Sequence, residues 1–208
     1  MPISSILQSF LIRNKSIGIF VPDPDELVEE FKTQKRAPTA FYWAKVWPAA
    51  IGLCTFLQDN LHYIKNKNIL ELAAGPGLPG IFSAAHASSV CISDVEPKAV
   101  ALVQQSVALH QLTNVCCQVI DWNDLTGVTI PETVLLSDIN YEPTQFKKLF
   151  TIIDYLLINH CTIILSTPQR LMAKDFINQL LMHCKDQATV DVEMDGKQTA
   201  ISVFVLKQ

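Results

Sequence analysis

The hydrophobic pattern of the chain consists of short apolar runs separated by longer amphipathic stretches. Five such runs occupy residues 69–72, 90–94, 115–120, 134–137 and 162–166. Runs of this length that are rich in Val, Ile and Leu are typical of buried strands. Helical spacing of apolar residues follows several of them, for example at Val100, Val103 and Val107. The pattern therefore predicts strands that alternate with helices, as in α/β proteins with a parallel sheet.

The C-terminal end follows a different pattern. A helix is predicted at residues 171–184, and alternating strand patterns at residues 189–193 and 199–206 then flank Asp195-Gly196. Asp-Gly between two such runs is a strong hairpin signal. Together with the five buried strands, this hairpin predicts a three-layer, doubly wound (Rossmann-like) fold. Its seven-stranded sheet would be mostly parallel, with an antiparallel hairpin strand at the C-terminal end.

The first 40 residues are the hardest part of the chain to interpret. They predict a strand at residues 17–21 and a short amphipathic helix at residues 27–31, which residues 35–38 break. The whole chain of 208 residues has a length that fits one domain. We therefore expect a single domain over residues 1–208, with residues 1–40 as an N-terminal extension.

Composition and charge narrow the class of protein. An apolar fraction of 49% and a charged fraction of 17% describe an ordinary globular chain. The net charge of −4 argues against a dedicated nucleic-acid partner. Since no run reaches the roughly 18 apolar residues that a membrane span needs, no membrane partner is expected either.

The six cysteines show neither CxxC spacing nor a Cys/His ligand pattern. Most of them lie among apolar neighbours in predicted strands or helices, which is typical of reduced thiols in a protein core. We therefore expect no metal site. Reduced thiols also favour the cytoplasm or another reducing compartment.

The first buried run leads into the glycine-rich turn Gly75-x-Gly77-x-x-Gly80, and a helix is predicted at residues 81–87. Strand, glycine turn and helix form the first half of a nucleotide-binding βαβ unit. Glu71 stands just before the turn, where a carboxylate would repel the phosphates of a dinucleotide. S-adenosylmethionine (SAM) carries a cationic amine and a sulfonium but no phosphate. The turn and Glu71 together therefore favour SAM.

Carboxylates also end the next two strands. Asp94 stands where an acidic group can accept hydrogen bonds from both ribose hydroxyls. Glu96 is the alternative, but Pro97 places it at the start of the following helix. Asp121 and Trp122 end the third strand and suit adenine, through a carboxylate for its exocyclic amine and an apolar indole surface. A loop cap beside a partly buried tryptophan is the alternative interpretation.

Two tryptophans and a tyrosine lie close together at Tyr42, Trp43 and Trp47, ahead of the first buried strand. One interpretation is that these aromatic side chains pack on the core. The other is that Trp47 or Tyr42 forms a wall of the ligand pocket.

The order of these motifs resembles that of the seven-β-strand SAM-dependent methyltransferases. More narrowly, it resembles methyltransferase family 16, which contains protein-lysine methyltransferases with a DxxY motif. The resemblance runs from about residue 42 to the C-terminus and rests on Glu71-x-Ala73-x-Gly75-x-Gly77, Asp94, Asp121-Trp122 and Asp138-x-x-Tyr141. The chain departs from the family at Ala73, where glycine is frequent. The first 40 residues carry no family motif, and substrate choice is often set in that region.

The resemblance implies a role for each matching residue. Asp138 and Tyr141 would be the catalytic residues that face the methyl acceptor. The implied cofactor-binding residues are Trp47, Glu71, Ala73, Gly75, Gly77, Asp94, Asp121, Trp122 and Ser137. The alternative for the DxxY motif is an aspartate that caps the following helix and a tyrosine that packs on the core.

The implied function is a SAM-dependent N-methyltransferase that acts on a lysine side chain of a protein substrate and releases S-adenosylhomocysteine. Methylation of a small-molecule nitrogen, as in nicotinamide-type relatives of the fold, is the first alternative, and it would require an enclosed acceptor pocket. A nicotinamide-dependent oxidoreductase is a second alternative, against which Glu71 and the terminal hairpin count. A non-catalytic SAM-binding partner is the third, and the intact DxxY motif argues against it.

Overall fold

A computed structural model describes residues 4–34 and 38–208, and between residues 30 and 40 it describes backbone positions only. The α-helices are α1 (Pro24–Gln34), α2 (Pro48–Asp59), α3 (Leu78–Ala84), α4 (Pro97–Leu109), α5 (Phe146–Ile158) and α6 (Lys174–Leu180). The strands are β1 (Ser5–Ile12), β2 (Lys15–Pro22), β3 (Asn68–Leu72), β4 (Ser89–Asp94), β5 (Val115–Val119), β6 (Thr133–Ser137), β7 (Thr162–Pro168), β8 (Cys184–Met194) and β9 (Lys197–Leu206).

The central sheet has seven strands in the order β5-β4-β3-β6-β7-β9-β8. The five strands from β5 to β7 are parallel, and β9 joins them antiparallel to β7 and to β8. The predicted α/β fold, with a mostly parallel sheet and a C-terminal antiparallel hairpin, is confirmed. The chain leaves β3 first toward β4 and later returns on its other side as β6. Ligands of open α/β sheets bind at such a switch point, outside the carboxyl ends of the strands.

Two groups of buried side chains flank the sheet. One group contains side chains of α2 and α3, including Leu53, Leu57 and Phe82. The other contains side chains of α5 and α6, including Ile153 and Phe176. Because both faces of the sheet are covered, β6 is buried along almost its whole length, as expected of a central parallel strand.

The N-terminal hairpin is the main element that the sequence pattern does not predict. The predicted strand at residues 17–21 is part of β2, which pairs antiparallel with β1. The connection at Arg13 and Asn14 lacks the Asn-Gly or Asp-Gly signal of tight hairpins, although Arg13 adopts the positive φ of 54° that such turns need. Side chains of this hairpin, Ile12 and Ile19 among them, belong to the α2 side of the core.

Two helices differ from their predicted bounds. The helix after the glycine turn begins at Leu78 rather than at residue 81, because Pro79 is accommodated in the first turn, where its missing N–H is not needed. The helix predicted at residues 171–184 is shorter, since α6 ends at Leu180 and the strand β8 already begins at Cys184. Pairing with β9 extends β8 beyond the alternating stretch that the sequence pattern indicates.

A helix break is predicted at residues 35–38, and residues 35–37 of this segment lie outside the described residues. Among the described helices, none has both the length and the apolar character needed to cross a lipid bilayer.

Candidate active site

A cavity of about 450 Å³ lies at the carboxyl ends of β3, β4 and β6. Its volume falls within the usual range for sites of small molecules and cofactors. Eight of the predicted site residues line it: Trp47, Ala73, Gly75, Asp94, Trp122, Ser137, Asp138 and Tyr141. Glu71, Gly77 and Asp121 are not among the lining residues.

The glycine-rich turn brings backbone to the cavity wall. Ala73 has a φ of 50° and Gly75 a φ of 53°, in the left-handed region that favours glycine. This conformation explains why glycine is frequent in the family at the position of Ala73. At Gly75 a side chain would also meet the carbonyl oxygen of Trp43, which an added Cβ would approach to 3.0 Å.

Asp94 is buried at the end of β4 and is oriented by the backbone on both sides. The Gly75 N–H donates to its Oδ2 at 2.8 Å, and the Glu96 N–H donates to its Oδ1 at 2.9 Å. Burial raises the pKa of Asp94, while these two amides act in the opposite direction. Because a carboxylate offers about four lone-pair positions, each oxygen can still accept a hydrogen bond from a ligand.

An aromatic cluster joins two sides of the cavity. The Tyr42 ring packs edge-to-face against both Trp47 and Tyr141, with centroid distances of 5.7 and 4.7 Å. The Trp47 indole N–H donates to the Tyr42 carbonyl oxygen at 2.8 Å, and the Lys45 ammonium lies 3.9 Å from the centre of the Trp47 ring. Trp47 and Tyr42 therefore form a pocket wall, as the second interpretation of this segment predicts.

Asp121 and Trp122 separate in the structure. Trp122 lines the cavity and packs on the α5 and α6 side of the core. The exposed Asp121 carboxylate instead accepts from the backbone N–H and the side-chain amide of Asn123, at 2.9 and 2.7 Å. These contacts are those of the loop-cap interpretation, and a contact of the Asp121 carboxylate with adenine stays a prediction.

Glu71 also lies elsewhere than expected. Its side chain is completely buried, and Oε2 accepts from the Gly80 N–H at 2.8 Å, inside α3. Gly80 is needed for this approach, since a Cβ there would lie 2.5 Å from the carboxylate. Gly77 likewise serves the backbone, because it precedes α3 with a φ of 77°. Both residues fix the turn against the helix, and neither reaches the cavity wall.

Burial makes Glu71 a weak acid. It raises the pKa of Glu71 to about 8, helped by the negative charge of Asp94, while the Gly80 amide partly opposes the shift. Since the folded-state pKa exceeds the ordinary value of 4.5, stability from protonated Glu71 is complete below pH 4.5 and is lost as the pH rises through about 8. Glu71→Gln stays neutral throughout.

We expect the stability of Glu71→Gln relative to the parent protein to rise between pH 5 and 8.5, by up to about 1.4 kcal/mol per pH unit between the two pKa values. Urea unfolding at several pH values measures this difference. Glu132→Gln is the control, because Glu132 is exposed and Lys67 lowers its pKa. If the stability of the parent protein and of Glu71→Gln changes with pH in the same way, Glu71 does not carry a proton in the folded protein.

The part of the cavity around Asp138 is built at the end of β6. Asp138 has a φ of 54°, which aspartate tolerates better than most residues, and its N–H donates to the Ser166 carbonyl oxygen on β7 at 2.8 Å. Tyr141 is 38% exposed, so it does not pack in the core as the alternative interpretation supposes. Burial raises the pKa of its phenol.

Arg170 is the functional candidate that sequence reasoning missed. Its guanidinium holds Asp138 with two hydrogen bonds, Nη1 to Oδ1 and Nη2 to Oδ2, the second at 3.0 Å. Burial raises the pKa of Asp138, and the guanidinium partly offsets that rise. Asp138 follows β6 and Arg170 follows the neighbouring strand β7. A cation just after an adjacent strand was the available signal, because neighbouring parallel strands end at the same edge.

Comparison with known proteins agrees with this geometry. A family model described as lysine methyltransferase matches residues 36–183, which is more than half of the chain. The chain belongs to the lysine methyltransferase family. The matched segment contains every residue of the cavity wall, from Tyr42 to Arg170.

Relatives within and beyond the family differ in what their names say they methylate. The histone-arginine methyltransferase METTL23 of Homo sapiens is 26% identical over 157 residues, covering 73% of this chain and 83% of that protein. The protein N-lysine methyltransferase METTL21A of Xenopus tropicalis is 28% identical over 166 residues, covering 77% and 75%. The 16S rRNA N2 G1207 methyltransferase RsmC of T. thermophilus, solved with AdoMet and guanosine, superposes with a TM-score of 0.66, 14% identity and coverage of 100% and 52%. At that identity the likeness concerns the fold alone.

Proposed function

We propose that this protein is a SAM-dependent N-methyltransferase that modifies lysine side chains of a protein substrate. The observation that carries the proposal is a single cavity that is lined both by Asp94 and by the Asp138-x-x-Tyr141 motif. Family membership supports methyl transfer, and relatives named for lysine methylation support the acceptor.

The cavity wall fits SAM better than a dinucleotide. Asp94, fixed by two backbone amides, retains acceptor positions for two ribose hydroxyls. Trp122 and Trp47 offer flat apolar surfaces, and Ser137 adds a hydroxyl to the wall. Glu96 adds a further carboxylate to the wall, which would repel a pyrophosphate. When bound, SAM supplies a methyl group on a cationic sulfonium and leaves as S-adenosylhomocysteine.

The residues around the acceptor would work by orientation and desolvation. A lysine amine has a reference pKa near 10.4, so it is protonated in neutral water and cannot attack. In a partly buried site beside the positive sulfonium of SAM, the ammonium form of the lysine side chain is disfavoured. Asp138 would first attract and align the cation, and the Tyr141 hydroxyl would hold the amine by a hydrogen bond. Positioning accounts for most of the rate in such a site.

A protein acceptor suits the surroundings of the cavity better than a small molecule does. Leu171, directly after Arg170, is 93% exposed, Met172 is 49% exposed, and Tyr141 itself reaches the surface. Exposed apolar side chains beside a functional cavity are typical of contact surfaces for another protein. The six cysteines are free thiols, which fits the cytoplasm as the place where the substrate is met.

Arginine is a second candidate acceptor. Asp138 already holds a guanidinium with two hydrogen bonds, so its carboxylate is oriented for a planar, forked cation. METTL23, named for histone-arginine methylation, is among the relatives.

Product analysis tests the proposal and separates the acceptors. The protein is first titrated with S-adenosylhomocysteine in a calorimeter, then incubated with tritiated SAM and either a cell lysate or a metabolite extract. We expect binding, a labelled protein band, and tritiated methyl-lysine after acid hydrolysis of that band. Labelled methyl-arginine would transfer the proposal to arginine, and label confined to metabolites would favour a small-molecule nitrogen. An absence of binding would contradict the cofactor assignment.

A further inference from the structure

The acceptor side of the cavity contains a cation of its own. Arg170 donates one hydrogen bond to each oxygen of the Asp138 carboxylate and balances its charge, and this carboxylate is the group that a substrate cation would need. The Asp138 side chain is 7% exposed, and the Arg170 side chain is 26% exposed. The carboxylate is therefore enclosed, whereas its partner has a path to water.

The other charged groups do not provide an equivalent partner for Asp138. Among the described residues of the cavity wall, the second cation is Lys45, whose ammonium lies over the Trp47 ring. The other acidic groups of the wall are Asp94 and Glu96. Burial raises the pKa of the Tyr141 phenol, and the negative charge of Asp138 adds to this rise. Since a buried charge without a partner is strongly destabilising, the ionised Asp138 needs a cation in the resting protein.

We propose that Arg170 is a resident guanidinium that occupies the acceptor's place on Asp138, so that a cationic acceptor side chain binds only by displacing it. This inference rests on the proposed function, and it makes Arg170 a residue that determines acceptor specificity. Displacement exchanges one cation for another on an enclosed carboxylate, and Arg170 then moves toward the solvent that it already touches. Asp138 is therefore paired with a cation both before and after the exchange.

The exchange has a consequence for specificity. A neutral nitrogen cannot replace a guanidinium on a buried carboxylate, because it would leave the charge uncompensated. The enclosed carboxylate therefore discriminates against neutral acceptors, and the resident cation lowers the affinity for cationic ones. Removing the guanidinium should raise the affinity for ammonium without changing the affinity for a neutral molecule of similar size.

The test uses n-butylammonium as a probe of the lysine side chain and butyramide as the neutral probe. Each is titrated into the S-adenosylhomocysteine complex at constant ionic strength, and tryptophan fluorescence is recorded, since Trp43, Trp47 and Trp122 line the cavity. For Arg170→Met we expect n-butylammonium to bind about tenfold more tightly or better than in the parent protein, because a charge-assisted, two-bond competitor is gone. Butyramide binding should be unchanged.

Arg13→Met is the matched control. Arg13 also holds an aspartate, Asp59, through two hydrogen bonds, but both side chains are about half exposed and the pair is outside the cavity wall. It should bind n-butylammonium as the parent protein does. If Arg170→Met does not fold, Arg170→Lys is used instead. Its single ammonium cannot donate the two parallel hydrogen bonds of a guanidinium, so it should compete less for Asp138, and n-butylammonium should bind more tightly than in the parent protein.

Unchanged or weaker n-butylammonium binding in the Arg170 variants would overturn the proposal and make Arg170 a fixed support for Asp138. With the labelled protein band as substrate, displacement further predicts a lower KM with little change in kcat, whereas a fixed support predicts a loss of kcat. Failure of the proposed function is distinguishable, because it would appear in the parent protein as absent S-adenosylhomocysteine binding or absent label.

Discussion

Replacing Asp94 with alanine is expected to weaken S-adenosylhomocysteine binding by roughly 100-fold or more. The proposed role gives the carboxylate two hydrogen bonds to the ribose, and hydrogen bonds to charged groups contribute about 1.5–3 kcal/mol each, or about 3 kcal/mol together at the lower bound. The substitution also removes the acceptor that orients the Gly75 and Glu96 amides. Calorimetric titration measures the loss.

Glu96→Ala is the matched control for Asp94, because Glu96 is also acidic, lies two residues away and lines the same cavity. Its carboxylate accepts from the Lys98 N–H at the start of α4, so its removal should change S-adenosylhomocysteine affinity by no more than about threefold while costing some helix stability. Similar losses in both variants would mean that the charge of the loop, rather than one oriented carboxylate, holds the ligand.

The sequence was sufficient to predict the central sheet because each of its strands carries a local signal. The strands β3, β4, β6 and β7 are buried runs between turns, and β9 and β8 flank Asp195-Gly196. The strand β5 forms as predicted but is not buried, because it lies at the edge of the sheet. The β1–β2 hairpin was not predicted because its turn at Arg13 has no such signal. The predicted length of α6 was too great because the apolar residues at its end also fit the strand that follows. In that segment the chain forms a strand because it pairs with β9. The pairing partners lie up to 22 residues further along the chain, as for Cys184 and Leu206.

Side-chain directions at the site were less predictable than side-chain positions. Glu71 and Asp94 both belong to strands that end at the cavity, and both are buried acids. Asp94 faces the ligand space, whereas Glu71 turns to the Gly80 amide inside α3. No local pattern distinguishes these two outcomes. The choice depends on how closely α3 approaches β3, which the absent side chain of Gly80 permits.

Arg170 illustrates the same limit for partners distant in sequence. It lies 32 residues from Asp138, in a segment without a family motif. Only the adjacency of β6 and β7 brings them together. A motif therefore identifies Asp138 as a group of interest, but it does not reveal that the carboxylate has a resident partner, and this partner changes what an acceptor must do to reach it.

Replacing Asp138 with asparagine is expected to reduce methyl transfer to the labelled substrate by on the order of 10²–10³ while changing S-adenosylhomocysteine affinity by no more than about threefold. The amide keeps the size of the side chain but lacks the charge that aligns a cationic acceptor, and misplacement of a reacting group by about 1 Å already costs ~10²-fold. Single-turnover rates and calorimetric titration separate the two quantities.

Asp138→Asn also leaves the Arg170 guanidinium without its counter-charge, so the double variant Asp138→Asn/Arg170→Met is the necessary companion. If an acceptor must bind Asp138 itself, both variants are equally inactive, because removing Arg170 frees a place that no longer carries charge. If activity returns in the double variant, the loss arises from the stranded guanidinium rather than from the missing carboxylate. Equal loss of S-adenosylhomocysteine affinity and turnover would instead assign Asp138 to the cofactor, and the division of the cavity into a cofactor side and an acceptor side would fail.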